Sequence, residues 1–224
     1  MRIRAWRVRP ASARPLDQAA AVMSYVVNPL MMPPILLLAL LAHFSAPLGE
    51  VVEVGATAFV FFTALPLAFL VVYRERGRSE TLDVRDRSNR RAPYLFGICC
   101  SAAALAVLCI QVETARPVIL TVLVLLNLNA ALLLLINSRL KISIHSAAVG
   151  GAVVILLFFA WTVPAESVLD PAALMWLMPS LPGVMWARVR SGAHSRTEVL
   201  AGAAFGVVVP ILELSLCLWS GIIA

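Results

Sequence analysis

Runs free of Asp, Glu, Lys and Arg fill residues 18–49, 54–73, 92–112, 117–138, 146–165, 171–187 and 199–212, and they are dominated by Leu, Val, Ala, Ile and Phe. A helix needs roughly 20 apolar residues to cross the hydrocarbon core, and most of these runs reach that length. In lipid, every backbone N–H and C=O must be paired within its own segment, which selects helices. The pattern therefore predicts an all-α fold, a polytopic membrane helical bundle of about six to seven transmembrane helices. The spans fall near 22–44, 52–73, 94–112, 116–137, 146–164, 170–187 and 198–220. Asn28-Pro29 and Pro33-Pro34 lie inside the first span and predict a kink or a split there. The sixth is short and holds Pro179, Pro182 and Gly183. No internal repeat stands out, and the polar loop 74–91 is too short for a second domain. Residues 1–224 read as a single integral-membrane domain.

The charges are distributed unevenly. Seventeen of the 18 Lys and Arg residues fall in segments 1–17, 74–91, 139–141 and 188–196; Arg116 stands apart. Two spans separate each segment from the next, and an even number of crossings returns a chain to the same face. The other face carries Glu50, Glu53, Glu113, Arg116, Glu166 and Asp170. The positive-inside rule puts the cationic face in the cytoplasm of a cell membrane. Arg2, Arg4, Arg7, Arg9 and Arg14 precede an apolar run too long for a signal peptide core, so an uncleaved first span is expected. Only 13% of residues are charged, against about 25% in a soluble domain. The net charge of +6 is juxtamembrane, where cations meet anionic lipid, so the expected partner is the bilayer and not nucleic acid. Cys99, Cys100, Cys109 and Cys217 lack metal-ligand spacing and read as small core residues.

Three polar clusters converge on the cationic face. The first spans 83–93, from Asp83 through Arg85, Arg87, Arg90 and Arg91 to Pro93. The second is Lys141-Ile142-Ser143-Ile144-His145. The third spans 188–198 and holds Arg188, Arg190, His194, Ser195, Arg196 and Glu198. Two of the chain's three histidines sit here. A guanidinium fork matches phosphate oxygens, and several arginines about one point stabilise the charge of phosphoryl transfer. A neutral histidine can attack phosphorus while a second protonates the leaving oxygen. The attacking ring needs a partner that fixes its tautomer. Glu198 lies four residues after His194, and a helix starting near Ser195 puts it in the first turn, facing back. Ser195 or Thr197 is the candidate cap of that helix. No carboxylate cluster suits a metal, so neither metal nor cofactor is expected.

The third cluster, Arg188-x5-His194-x3-Glu198 followed by Val-Leu-Ala-Gly, resembles the third motif of the type 2 phosphatidic acid phosphatase superfamily, Ser-Arg-x5-His-x3-Asp. Ile142-Ser143-Ile144-His145 resembles that family's Pro-Ser-Gly-His. The first cluster is similar to a relaxed Lys-x6-Arg-Pro, most closely in the compact form Asp86-Arg87-x-x-Arg90-x-x-Pro93. Ala187, Ile142, Ile144 and Glu198 depart from the family pattern, and strict first-motif spacing would select Arg85 and Ala92. The resemblance implies that His194 forms a phosphohistidine, Glu198 orients it, His145 is the general acid and Arg188 clamps phosphate. Arg87, Arg90 and Ser143 join the implied phosphate-binding set, and Lys141 of the second cluster is a further phosphate-binding candidate.

The expected function is metal-independent hydrolysis of a lipid phosphate or a prenyl or polyprenyl diphosphate, with the tail kept in the bilayer. A phosphoryl transferase of the same superfamily and a non-catalytic lipid-phosphate binding or transport protein are the alternatives. Asn127 and Asn129, inside the fourth span, read as interhelical hydrogen-bond formers. Glu213 and His43 lie toward the opposite face and receive no role.

Overall fold

The computed structural model describes residues 14–79, 82, 84, 89–163 and 174–223. Among these residues it is helical, with no strand. The helices are α1 (Pro15–Val26), α2 (Met32–His43), α3 (Leu48–Glu75), α4 (Arg91–Gln111), α5 (Arg116–Arg139), α6 (Ile144–Thr162), α7 (Ser180–Arg190) and α8 (Arg196–Trp219). Five of them, α3, α4, α5, α6 and α8, are long and apolar enough to cross a membrane. Apolar side chains such as Ile110 and Leu212 point outward from them. This is the architecture of an integral membrane protein.

The first expected span is split. Asn28-Pro29 lies at the break between α1 and α2, each 12 residues long. In the turn between them, the Asn28 side chain accepts Leu30 N–H at 2.9 Å. Pro33 and Pro34 then sit in the first turn of α2, where a missing N–H leaves no intrahelical bond unmade. The two pieces together traverse the bundle. Asp17 pairs with Arg190 at one end, Leu30 O accepts from Thr63 Oγ1 midway, and His43 Nε2 meets Val163 O at the far end of α6. Leu36, Leu37, Leu40 and Leu41 are buried and join α2 to the apolar core that also holds Phe159 and Leu108.

The sixth expected span is corrected more sharply. The regular helix there is α7, of 11 residues, about 16 Å long and so roughly half the hydrocarbon thickness. A 3₁₀ turn, Met175–Leu177, precedes it, and residues 164–173 lie outside the described part. Proline at 179 and 182 removes backbone donors just where the helix would have extended. The half-helices α1 and α7 pack antiparallel. Met23 lies so close to Gly183 that a Cβ there would stand 2.6 Å from its methyl.

α3 contains a π-helical stretch, Phe59–Ala64. Pro66 follows it, lacking an N–H and bringing its ring toward the Phe62 carbonyl; the wider turn, with Leu65 N–H reaching Val60 O, absorbs the mismatch. Of the four cysteines expected in the core, Cys100 is buried, Cys99 is exposed, and Cys109 and Cys217 are intermediate. Asn127 Nδ2 crosses from α5 to Ser101 O on α4 at 3.3 Å, and Asn129 Nδ2 reaches Glu213 on α8 at 2.8 Å. Both amides act between helices.

α6 and α8 form the most extensive helix pair. Gly150 and Gly151 on α6 face Gly206 and Pro210 on α8, and Gly202 lies against Ser143 at the start of α6. A Cβ at Gly202 would overlap the Ser143 carbonyl, and one at Gly206 the Ala147 carbonyl. Small residues let two membrane helices approach backbone to backbone. This contact fixes the beginning of α6 against the beginning of α8.

Candidate active site

Five residues, 191–195, join α7 to α8, and local chemistry fixes nearly every one. α7 ends in a Schellman motif: Gly192 N–H bonds Val189 O at 3.0 Å and Ala193 N–H bonds Arg188 O at 3.1 Å. The motif needs a left-handed residue after the C-cap, and Gly192 supplies it at φ 65°. His194 N–H also donates to Arg188 O, at 3.2 Å. The turn therefore folds His194 back over the residue six positions before it. α8 then opens on a capping box. Ser195 Oγ accepts Glu198 N–H at 3.2 Å, and the Glu198 carboxylate accepts Ser195 N–H at 3.4 Å. Ser195, and not Thr197, is the cap.

The same carboxylate oxygen, Glu198 Oε2, lies 2.7 Å from His194 Nδ1 and 3.2 Å from Lys141 Nζ. A carboxylate paired with an ammonium group is an acceptor, so Nδ1 carries the proton and donates it. The lone pair of the ring is then on Nε2. Only 9% of His194 is exposed. Burial holds its pKa down, the Arg188 and Arg90 guanidinium charges push the same way, and the Glu198 carboxylate opposes them. The result is about 4. At neutral pH the ring is uncharged with a free Nε2 lone pair, the form a nucleophile requires.

Residues from all three clusters meet here. From the third, Arg188 is buried in the last turn of α7. From the first, Arg90 is buried at the start of α4; its Nε donates to Val84 O at 2.8 Å and its Nη1 to Asn137 Oδ1 at 3.2 Å. From the second, Ser143 caps α6 by accepting Ser146 N–H at 3.4 Å, and its own N–H donates to Glu198 O at 3.0 Å. That bond joins the second cluster to the third through main chain. His145 follows in the first turn of α6 and is buried. Lys141 is held by Glu198 and, at 3.4 Å, by Ala193 O. Arg87 lies outside the described residues.

One residue of this arrangement has no counterpart in the sequence motifs. Asn137, 3% exposed near the end of α5, accepts from Arg90 Nη1 and from Ile142 N–H, each at 3.2 Å, and donates to Tyr94 OH at 2.8 Å. It binds the first cluster to the second. Its sequence signal was an amide at the end of an apolar span, two residues before Arg139. Among the described residues, no three His, Cys, Asp or Glu side chains gather as a metal site.

Comparison of the chain with protein-family models, with curated proteins and with solved structures gives no match. The functional reading therefore rests on the site.

Proposed function

We propose that this protein is a metal-independent membrane phosphatase of the type 2 phosphatidic acid phosphatase kind, acting on a lipid phosphate or a prenyl or polyprenyl diphosphate. The observation that carries the reading is the 2.7 Å contact between His194 Nδ1 and Glu198 Oε2, made beside two buried arginines, Arg188 and Arg90. A carboxylate on one ring nitrogen of a neutral, buried histidine readies the other for attack, and guanidinium groups are suited to phosphoryl oxygens.

In this reading His194 Nε2 attacks phosphorus, and the bond to the lipid oxygen breaks. His145 delivers a proton to that leaving oxygen, and the alcohol or monophosphate departs. The phosphohistidine carries its Nδ1 proton into the Glu198 carboxylate, which offsets the positive charge gained by the ring. Water then attacks phosphorus, giving up a proton to His145, and the N–P bond breaks to regenerate His194 and inorganic phosphate. Arg188 and Arg90 balance the charge on the equatorial oxygens in both steps. The lipid tail stays in the bilayer, and the site face lies on the cytoplasmic side, as the cationic segments favour.

The test is phosphate release in detergent with EDTA present, over phosphatidate, phosphatidylglycerophosphate and a polyprenyl diphosphate, for wild type and His194→Ala. Metal-independent release that the substitution abolishes is the expected result. No release on any lipid from well-folded protein would sink the hydrolase reading.

A further inference from the structure

We propose that Lys141 is a positioning residue that acts through Glu198, and not a ligand of the phosphate. The kinetic arm of this inference rests on the phosphatase reading; the spectroscopic arm does not.

Lys141 belongs to the connection between α5 and α6, which is anchored on the first turn of α8 by the Ser143 N–H to Glu198 O bond. The anchoring brings Lys141 Nζ to 3.2 Å from Glu198 Oε2, the oxygen that His194 Nδ1 uses at 2.7 Å and Ser195 N–H at 3.4 Å. Its second bond, at 3.4 Å, goes to Ala193 O, the carbonyl immediately before His194. The ammonium therefore spans the two parts that must stay in register, the backbone leading into the nucleophile and the carboxylate that fixes its tautomer.

A glutamate side chain has three rotatable bonds, one more than aspartate. A carboxylate held only by His194 and its own capping box could swing away as the ring moves toward phosphorus. A third donor from a separate element holds it in place. The charges that bear on His194 itself are those of Arg188, Arg90 and Glu198. Both arginines are buried, whereas the Lys141 side chain is 32% exposed and already occupied by an anion. Glu198 and Ala193 O take two of its three N–H donors, so its charge is spent mainly on the carboxylate.

The experiment compares wild type, Lys141→Met, Lys141→Arg, Glu198→Gln and the double variant K141M/E198Q in detergent. For a positioning role, Lys141→Met lowers kcat on a lipid phosphate about tenfold and leaves KM within about twofold, because only transition-state alignment is lost. Lys141→Arg, which keeps a cation in reach of the carboxylate, restores most of kcat. In the Glu198→Gln background Lys141→Met adds no further loss, since both act on one element. A raised KM with kcat kept, or losses that multiply, would overturn the proposal and return Lys141 to the phosphate.

The second arm uses ¹⁵N imidazole spectra of the resting protein. Wild type shows His194 as the Nδ1–H tautomer alone, and Lys141→Met shows a mixture with the Nε2–H form. An unchanged single tautomer would overturn the proposal. Lys141→Gln replaces Lys141→Met in both arms should the latter fail to fold. If wild-type protein released no phosphate, the hydrolase reading would fall and the tautomer spectra would still decide the role of Lys141.

Discussion

Glu50 and Glu198 occupy the same position on opposite faces of the bundle. Each is the third residue of its helix, α3 and α8, and each carboxylate reaches toward donors outside its own helix. Their partners differ. Glu50 accepts Glu113 N–H and Thr114 N–H, both at 2.9 Å, and Thr114 Oγ1–H at 2.6 Å. These donors pin the α4–α5 turn, where Ala115 takes a left-handed φ of 47°. Nearby, Arg116 closes the end of α4 by donating to Val112 O at 3.2 Å and to Cys109 O. None of the groups that Glu50 binds titrates near neutral pH. Glu198 holds an imidazole and an ammonium instead. The same residue at the same helical position is a loop clamp on one face and the orienter of a candidate nucleophile on the other. What it holds decides its role.

The contrast can be broken by substitution. The largest effect is expected at the ring itself: His194→Ala should reduce phosphate release by at least about 10³-fold, as loss of a covalent nucleophile does. Glu198→Gln should come next, with kcat lower by about 10²-fold and the protein still folded, since an amide can turn a donor toward His194 Nδ1 and favour the wrong tautomer. Glu50→Gln should leave kcat unchanged and lower stability by about 1–2 kcal/mol, because its amide NH₂ faces donors. Thermal unfolding in detergent reads that loss. A drop in kcat for Glu50→Gln at temperatures where it is folded would erase the distinction between the two faces.

Asn137→Ala tests whether the site face depends on support behind its first rank of residues. It removes the acceptor shared by Arg90 Nη1 and Ile142 N–H. The expected cost is about 1–3 kcal/mol of stability, together with a roughly tenfold loss of kcat/KM as Arg90 loses its fixed direction. Stability loss with unchanged kcat/KM would make Asn137 structural alone.

The smallest effect is a shift in pH dependence. His194, held down to about 4, stays neutral well below the usual imidazole range near 6.5. The acid limb of kcat/KM set by this group should therefore fall near pH 4. Burial and the two arginines lower the value while Glu198 raises it, so Glu198→Gln should move the limb lower still. Stability follows the same linkage. The unfolded chain binds this proton from about pH 6.5 downward and the folded chain only near 4, so the contribution is present in full above 6.5 and is lost as pH falls toward 4. His194→Asn should flatten that part of the stability–pH curve.

Much of this could be read along the chain because it is local. His194 and Glu198 stand one helical turn apart, and the capping box and the glycine turn lie within the same few residues, so spacing alone placed them together. The spans followed from backbone pairing in lipid, and Asn28-Pro29 with the Pro33-Pro34 pair marked the break between α1 and α2. For the sixth span, Pro179, Pro182 and Gly183 gave warning, but not of how little of the run is regular helix. Partners brought in from other segments could not be read in the same way. Nothing near Asn137 in sequence says that its amide meets Arg90 and Tyr94, 47 and 43 residues away. Lys141 falls among the phosphate-binding candidates because it stands in the second polar cluster, far from Glu198 along the chain. Its partner Glu198 arrives only when α6 and α8 close together.

That closure has a consequence for how mutations would be read. In a saturation library scored for retained folding and activity, positions 202 and 206 should reject nearly every side chain, since the space for a Cβ is already filled by the carbonyls of Ser143 and Ala147. Ranked by intolerance, two chemically silent glycines would sit beside His194 at the top. Only a ranking that separates abundance from turnover would tell the hinge pin from the blade.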